Sequence, residues 1–242
     1  MTDRLPDVLA HIDADIGNSL QRLFRLVEIE SISTDPAYAG ACLQAAEWLA
    51  DALKGIGFEA SVRPTPGHPM VVGHAGGGAG PHVLFYGHYD VQPVDPLDLW
   101  SSPPFQPKVV AAPNGAKQIV GRGPSDDKGQ LMTFVEACRA WKAVTGSLPV
   151  QVSMLFEGEE ESGGHNLVPF MEANKAELAA DLAFVCDTGM WDATTPAVTT
   201  MLRVMVGEEI VVTAASRDLH SGMYGGAARN PIHVLCDILD GL

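Results

Sequence analysis

Tyr86-Gly87-His88-Tyr89-Asp90-Val91-Gln92-Pro93 puts an imidazole and a carboxylate two residues apart where an apolar run ends. A neutral imidazole can take a metal through one ring nitrogen while a neighbouring carboxylate holds the other and fixes the tautomer. Three more carboxylate-bearing segments follow. They are Gly121-Arg122-Gly123-Pro124-Ser125-Asp126-Asp127-Lys128-Gly129, Phe156-Glu157-Gly158-Glu159-Glu160-Glu161-Ser162-Gly163-Gly164 and Val185-Cys186-Asp187-Thr188-Gly189. Each has an ordinary local explanation. Asp126 or Asp127 would cap a helix and offset its dipole, an acid run is usually a solvated loop, and a lone Asp187 would be a loop or cap residue. Together they are more specific, because carboxylates crowded after a buried strand repel one another unless a cation or a proton relieves them. An imidazole with several carboxylates suits zinc and, less selectively, manganese or cobalt. Two such ions would sit ~3.5–4 Å apart on a shared carboxylate, leaving a spare carboxylate to take a proton from water.

The elements that must position these groups read as alternating strand and helix. Apolar steps from Leu5 through Val27 mark a long amphipathic helix, and Cys42, Ala45, Ala46, Leu49 and Leu53 mark a second that stops at Gly55 and Gly57. Strands are predicted at 58–62, 70–73, 82–86, 118–120, 150–156 and 182–186, with helices at 128–144 and 167–178. The proline-rich passage 93–107 reads as an ordered loop tucked down by Trp100 and Phe105. This grammar predicts an α/β fold, a mainly parallel sheet flanked by helices. His88, Asp126, Glu160, Glu161 and Asp187 then fall at the carboxyl edge, where open α/β sheets bind ligands. Past about residue 200 the pattern changes to an apolar strand at 204–214, a glycine-rich loop and a helix opened by Pro231. Residues 1–200 are therefore expected to form one domain, and 201–242 the beginning of a second, α+β one.

Bulk properties exclude several classes. Acidic residues outnumber basic ones 30 to 15, a formal charge of −15, and no Lys/Arg cluster exists to neutralise phosphates, so a nucleic-acid partner is not expected. The four cysteines are far apart and form no Cys-x-x-Cys pair. Neither a leader pattern nor a membrane-length apolar run is present, and a cytoplasmic protein is the expectation.

These motifs resemble those of the di-zinc metallopeptidase family of carnosinases, related dipeptidases, glutamate carboxypeptidases, aminoacylases and succinyl-diaminopimelate desuccinylase. Gly87-His88-Tyr89-Asp90-Val91-Gln92-Pro93-Val94-Asp95-Pro96, the Gly121–Gly129 segment and Leu219-His220-Ser221-Gly222-Met223-Tyr224-Gly225-Gly226 are most similar to the carnosinase-like dipeptidase branch. The resemblance implies a zinc-peptidase-like catalytic domain and hydrolysis of dipeptides or short peptides by a two-zinc-activated water. His88 and Asp187 would bind one zinc, Glu161 the other, and Asp126 would bridge both. Asp90 would orient His88 and Glu160 would be the general base, with Glu159 behind them or solvated. The Asp126–Asp127 bond would be cis. His220 would come from a lid that also dimerises, and would stabilise the oxyanion. The remaining histidines match no ligand position.

In the family a histidine near the C-terminus of a chain almost twice this length completes the second zinc. The expectation is therefore an N-terminal fragment that keeps the ligands of the His88/Asp187 position and lacks one on the Glu161 side. Two other readings stay open: an N-acyl amino acid amidohydrolase of the same chemistry, and an inactive metal-binding fragment.

Overall fold

The computed structural model describes residues 2–203 and 205–242. In chain order its helices and strands are α1 (Leu5–Val27), α2 (Ala39–Lys54), β1 (Glu59–Arg63), β2 (Met70–Ala75), β3 (Val83–His88), β4 (Lys108–Ala111), β5 (Lys117–Val120), α3 (Lys128–Thr145), β6 (Val152–Glu157), α4 (Leu167–Ala173), α5 (Lys175–Leu178), β7 (Leu182–Val185), α6 (Ser221–Tyr224) and α7 (Pro231–Asp240). Residues Met1–Gly189 and Met190–Leu242 form two compact units.

The first unit is built on a five-stranded sheet of order β1-β2-β6-β3-β7. β2 runs antiparallel to both neighbours while β6, β3 and β7 pair in parallel, so four of the five strands point one way. The expected mainly parallel sheet is thus present, with β2 as its one reversed strand. All six residues of β6 are buried, as a strand covered on both faces requires. On one face Phe85, Met154 and Phe156 pack with Leu26, Leu49, Leu53, Leu131 and Val135 of α1, α2 and α3. On the other, Leu84, Leu155, Met70 and Val72 pack with Leu178 of α5, and Phe170 of α4 lies against them. Burying each such side chain contributes roughly 1.5–3 kcal/mol before ordering costs.

Three polar anchors join these layers. Arg22 of α1 makes a forked bond to Glu136 of α3, at 2.9 and 2.5 Å. Lys128, fully buried, donates from Nζ to the Leu26 and Ile29 carbonyls at 3.0 and 2.8 Å and so closes the end of α1. On the α5 face the buried Ser153 hydroxyl lies 2.8 Å from His74 Nδ1 and 2.7 Å from His82 Nε2, and His74 Nε2 meets Glu177 at 3.0 Å.

Three local expectations differ from the structure. The 167–178 helix breaks at Asn174, whose side chain donates to the Phe170 carbonyl and competes with helix continuation. A β4–β5 hairpin stands apart from the main sheet and begins one residue after the proline-rich loop. The apolar pattern expected to form a strand at 204–214 forms none over residues 205–214, and Val204 lies outside the described residues. Alternation supplies a buriable face, but a strand also needs a neighbour for its backbone groups, and 205–214 pair with none among the described residues. The second unit contains α6 and α7, the latter opened by Pro231 as expected and capped by the Asn230 side chain.

Candidate metal centre

The parallel strands carry chemistry-bearing residues to one edge. His88 is the last residue of β3, Glu157 the last of β6, and Asp187 lies two residues past β7. Asp126 and Asp127 directly precede α3 and are joined by a cis peptide bond. His88 is wholly buried. Its Nε2 lies 3.0 Å from Asp126 Oδ1 and 3.5 Å from Asp187 Oδ2, and one ligand atom from each of the three residues falls within 4.8 Å of the other two. Metal bonds of ~2.0–2.2 Å to nitrogen and oxygen would let these donors share one divalent ion. The imidazole is sunk while the Asp126 and Asp187 side chains are 60% and 32% exposed, so the trio opens towards solvent.

Asp90 lies behind the imidazole. One of its carboxylate oxygens is 3.3 Å from His88 Nδ1, and its backbone carbonyl is 3.2 Å from the same nitrogen. Burial works to lower the imidazole pKa, but the Asp90 hydrogen bond and charge, with the charges of Asp127 and Glu160, outweigh it and push it up to about 10. The Asp90 carboxylate also accepts the backbone N–H groups of Glu160 and Glu161, at 3.3 and 3.1 Å. Glu160 and Glu161 open the short turn Glu160–Ser162. Both carboxyls are raised from their ordinary values. Burial is the main cause, and neighbouring carboxylates add to it, Glu161 and Asp187 for Glu160 and Asp126 for Glu161. Glu161 Oε2 accepts from Gln92 Nε2 at 2.7 Å.

Glu159 is turned away from this edge. It is buried, and it accepts from the His68 backbone N–H at 3.0 Å and from Asn166 Nδ2 at 2.7 Å, making a strut under the turn. Gly158 is required above it, because a Cβ there would come within 2.3 Å of the Tyr89 hydroxyl. His220 belongs to the second unit, where it is exposed and its Nδ1 accepts the Gly222 N–H, capping α6. His68, His74 and His82 are engaged in hydrogen bonds within the first unit.

Asp127, offered by the sequence as a helix cap, makes no side-chain cap bond to α3; it accepts the His88 N–H at 3.1 Å while its other oxygen is buried without a partner, and burial pushes it up to about 7. Other groups escaped the sequence reading. Glu157 accepts from the Tyr86 hydroxyl, leaves Oε2 unpartnered, and is likewise pushed up to about 7 by burial. The alternation of β3 and β6, which puts Tyr86 and Glu157 on one face, was the signal available for that pair. Gln92 carried none. Among the described residues, no helix is long and apolar enough to cross a membrane.

Comparisons with known proteins agree with this geometry. The chain is 32% identical over 253 residues to the Cys-Gly metallodipeptidase dug1 of Schizosaccharomyces pombe, covering 99% of this chain and 52% of the relative. It is 29% identical to the human Beta-Ala-His dipeptidase, covering 98% and 49%. The solved structure of human carnosine dipeptidase 1 superposes with a TM-score of 0.75 at 25% identity, covering 99% of this chain and 52% of that one. The chain thus spans about half the length of the relatives it matches. Peptidase family M20/M25/M40 matches residues 84–230, more than half of the chain and the whole of the edge just described. The chain belongs to the peptidase family M20/M25/M40.

Proposed function

We propose that this chain carries the metal-binding part of a metallopeptidase that hydrolyses the peptide bond of dipeptides or short peptides. The convergence of His88 Nε2, Asp126 Oδ1 and Asp187 Oδ2 at the carboxyl edge of the sheet carries this reading. Those three residues would hold one zinc-type ion, and Asp126 would be shared with a second ion on the Glu161 side. Manganese or cobalt would satisfy the same donors. Such ions, when bound, polarise the scissile carbonyl and lower the pKa of a water from 15.7 to about 7. Glu160, its carboxyl already raised by burial and crowding, takes the proton of the attacking water and hands it to the leaving amine. Asp90 keeps the imidazole in one tautomer. His220 supplies an N–H for the oxyanion.

The substrate class follows from relatives named for Cys-Gly and Beta-Ala-His dipeptides. We assign residues 1–200 to the catalytic domain and 201–242 to a lid through which the enzyme forms a homodimer. A formal charge of −15, with no Lys/Arg cluster to neutralise phosphates, supports a reading without a nucleic-acid partner. Four free cysteines suit a reducing compartment such as the cytoplasm.

The test is hydrolysis of Cys-Gly and β-Ala-His against N-acetylated amino acids, with and without chelator, beside metal analysis. Chelator-sensitive cleavage of the dipeptides is expected. Glu160→Ala should abolish turnover and leave metal content nearly unchanged; loss of metal with activity would mean that base and ligand are exchanged. Cleavage of the acylated panel alone would assign an amidohydrolase, and zinc without turnover on either panel a metal-binding module.

A further inference from the structure

The Gly121–Gly129 motif contains an arginine that the proposed chemistry does not use. Arg122 lies four residues before Asp126, yet its side chain reaches back to the segment leaving β3. Its Nη2 donates to the Pro93 carbonyl at 2.8 Å, and its guanidinium carbon stands 5.2 Å from the centre of the Trp100 ring. Its backbone N–H donates to the Pro104 carbonyl at 2.8 Å, while Nε is buried without a partner. Trp100 is itself fixed by donating Nε1–H to the Val94 carbonyl at 2.9 Å. Next to it, Gly123 adopts φ +92°, and a Cβ there would lie 2.8 Å from Val91 Cγ1. One arginine and one glycine therefore make a seam between the chain leading to Asp126 and the chain leaving Asp90 and Gln92.

Asp126 depends on such a seam. Its carboxylate is 60% exposed, and its side-chain partner among the described residues is His88 alone. Its placement is therefore set by the backbone on either side. On the downstream side, Asp127 grips the His88 N–H and Lys128 is locked into the end of α1. On the upstream side Gln130 Nε2 donates to the Ser125 carbonyl at 2.6 Å, which ties that residue to α3, and the tie to the segment leaving β3 is Arg122.

We propose that Arg122 is a positioning residue that holds Asp126 opposite His88 by fastening residues 121–125 to the Val91–Trp100 segment. The proposal rests on the reading of His88, Asp126 and Asp187 as metal ligands. Lysine would be a poor substitute. A single ammonium can reach the Pro93 carbonyl, but it has no plane to lay over Trp100 while doing so.

Cobalt(II) titration followed by visible absorption tests this on the whole chain, using wild type, Arg122→Met, Arg122→Lys and Asp126→Asn. Hydrogen exchange over residues 121–127 of the metal-free proteins runs in parallel, and thermal unfolding checks that each variant folds. Arg122→Met should weaken cobalt binding by about tenfold or more, the usual effect of losing a group that orients a ligand. It should also change the absorption band and speed exchange at 121–127, while Arg122→Lys restores only part of each. Wild-type affinity and band in Arg122→Met would overturn the proposal, whatever its exchange rate. If wild type and Asp126→Asn bind cobalt alike, or neither binds, the ligand reading itself fails. Exchange then decides the seam: unchanged rates at 121–127 overturn it, and faster rates uphold the fastening of this segment.

Discussion

His88 and the Glu160-Glu161 pair come to the same edge of the sheet by different means. His88 ends a strand buried on both faces, and its ring and backbone are gripped by Asp90 and Asp127. Glu160 and Glu161 sit on a three-residue turn, held by their backbone N–H groups to Asp90, with Gln92 on one side chain and the Glu159 strut beneath. Burial pre-organises the first arm, whereas the second is pre-organised by a few hydrogen bonds. Asp90 is common to both, so the arms differ in rigidity yet share one anchor.

Removing that anchor should have the largest effect. Asp90→Ala is expected to weaken metal binding at the His88 position by about 10–100-fold and to speed amide exchange at Glu160 and Glu161. A change in exchange without a change in affinity would separate the two arms. Acidity probes the buried arm next. With the imidazole held protonated up to about 10 in the metal-free chain, a bound ion must displace that proton. Affinity measured by titration should therefore rise with pH, by about tenfold per unit between roughly pH 6 and 8. A flat profile would show that binding displaces no proton from His88 in this range. The smallest effect belongs to the strut. Glu159→Gln keeps one acceptor for His68 but sets an amide N–H against Asn166. It should cost about 1–2 kcal/mol in urea unfolding and leave affinity at the His88 position unchanged. A matching loss of affinity would show that the turn supports the buried arm as well.

His88, Asp126 and Asp187 were legible because each combines a metal-binding side chain with a sharp boundary between apolar run and glycine or helix start. Sequence separates such boundaries well, since they depend on local pattern. It could not show that Glu159 turns inward while Glu160 and Glu161 do not. All three are glutamates in one run, and the difference lies in where Asn166 and the His68 backbone arrive from afar. Gln92 and Arg122 were similarly silent, because their partners, Glu161 and the Pro93 carbonyl, come together only when loops fold across one another. The strand expected at 204–214 failed for the converse reason. Its pattern was clear, but pattern carries no information about the neighbour that must pair with it.

The Ser153 hydroxyl between His74 and His82 has a consequence for where protons lie far from the metal edge. It has one hydrogen to offer two ring nitrogens. Ionised Glu177 can only accept, so His74 Nε2 carries the hydrogen that faces it. With the rings neutral, His74 Nδ1 is then bare and takes the serine proton, which leaves serine lone pairs for an N–H from His82. The row is directional, from His82 through Ser153 and His74 to Glu177, and no member can be reversed alone. Alanine in place of Ser153 would remove little beyond the hydroxyl of this fully buried residue, yet it would strand a donor and an acceptor at once. Threonine would keep the order of the whole row.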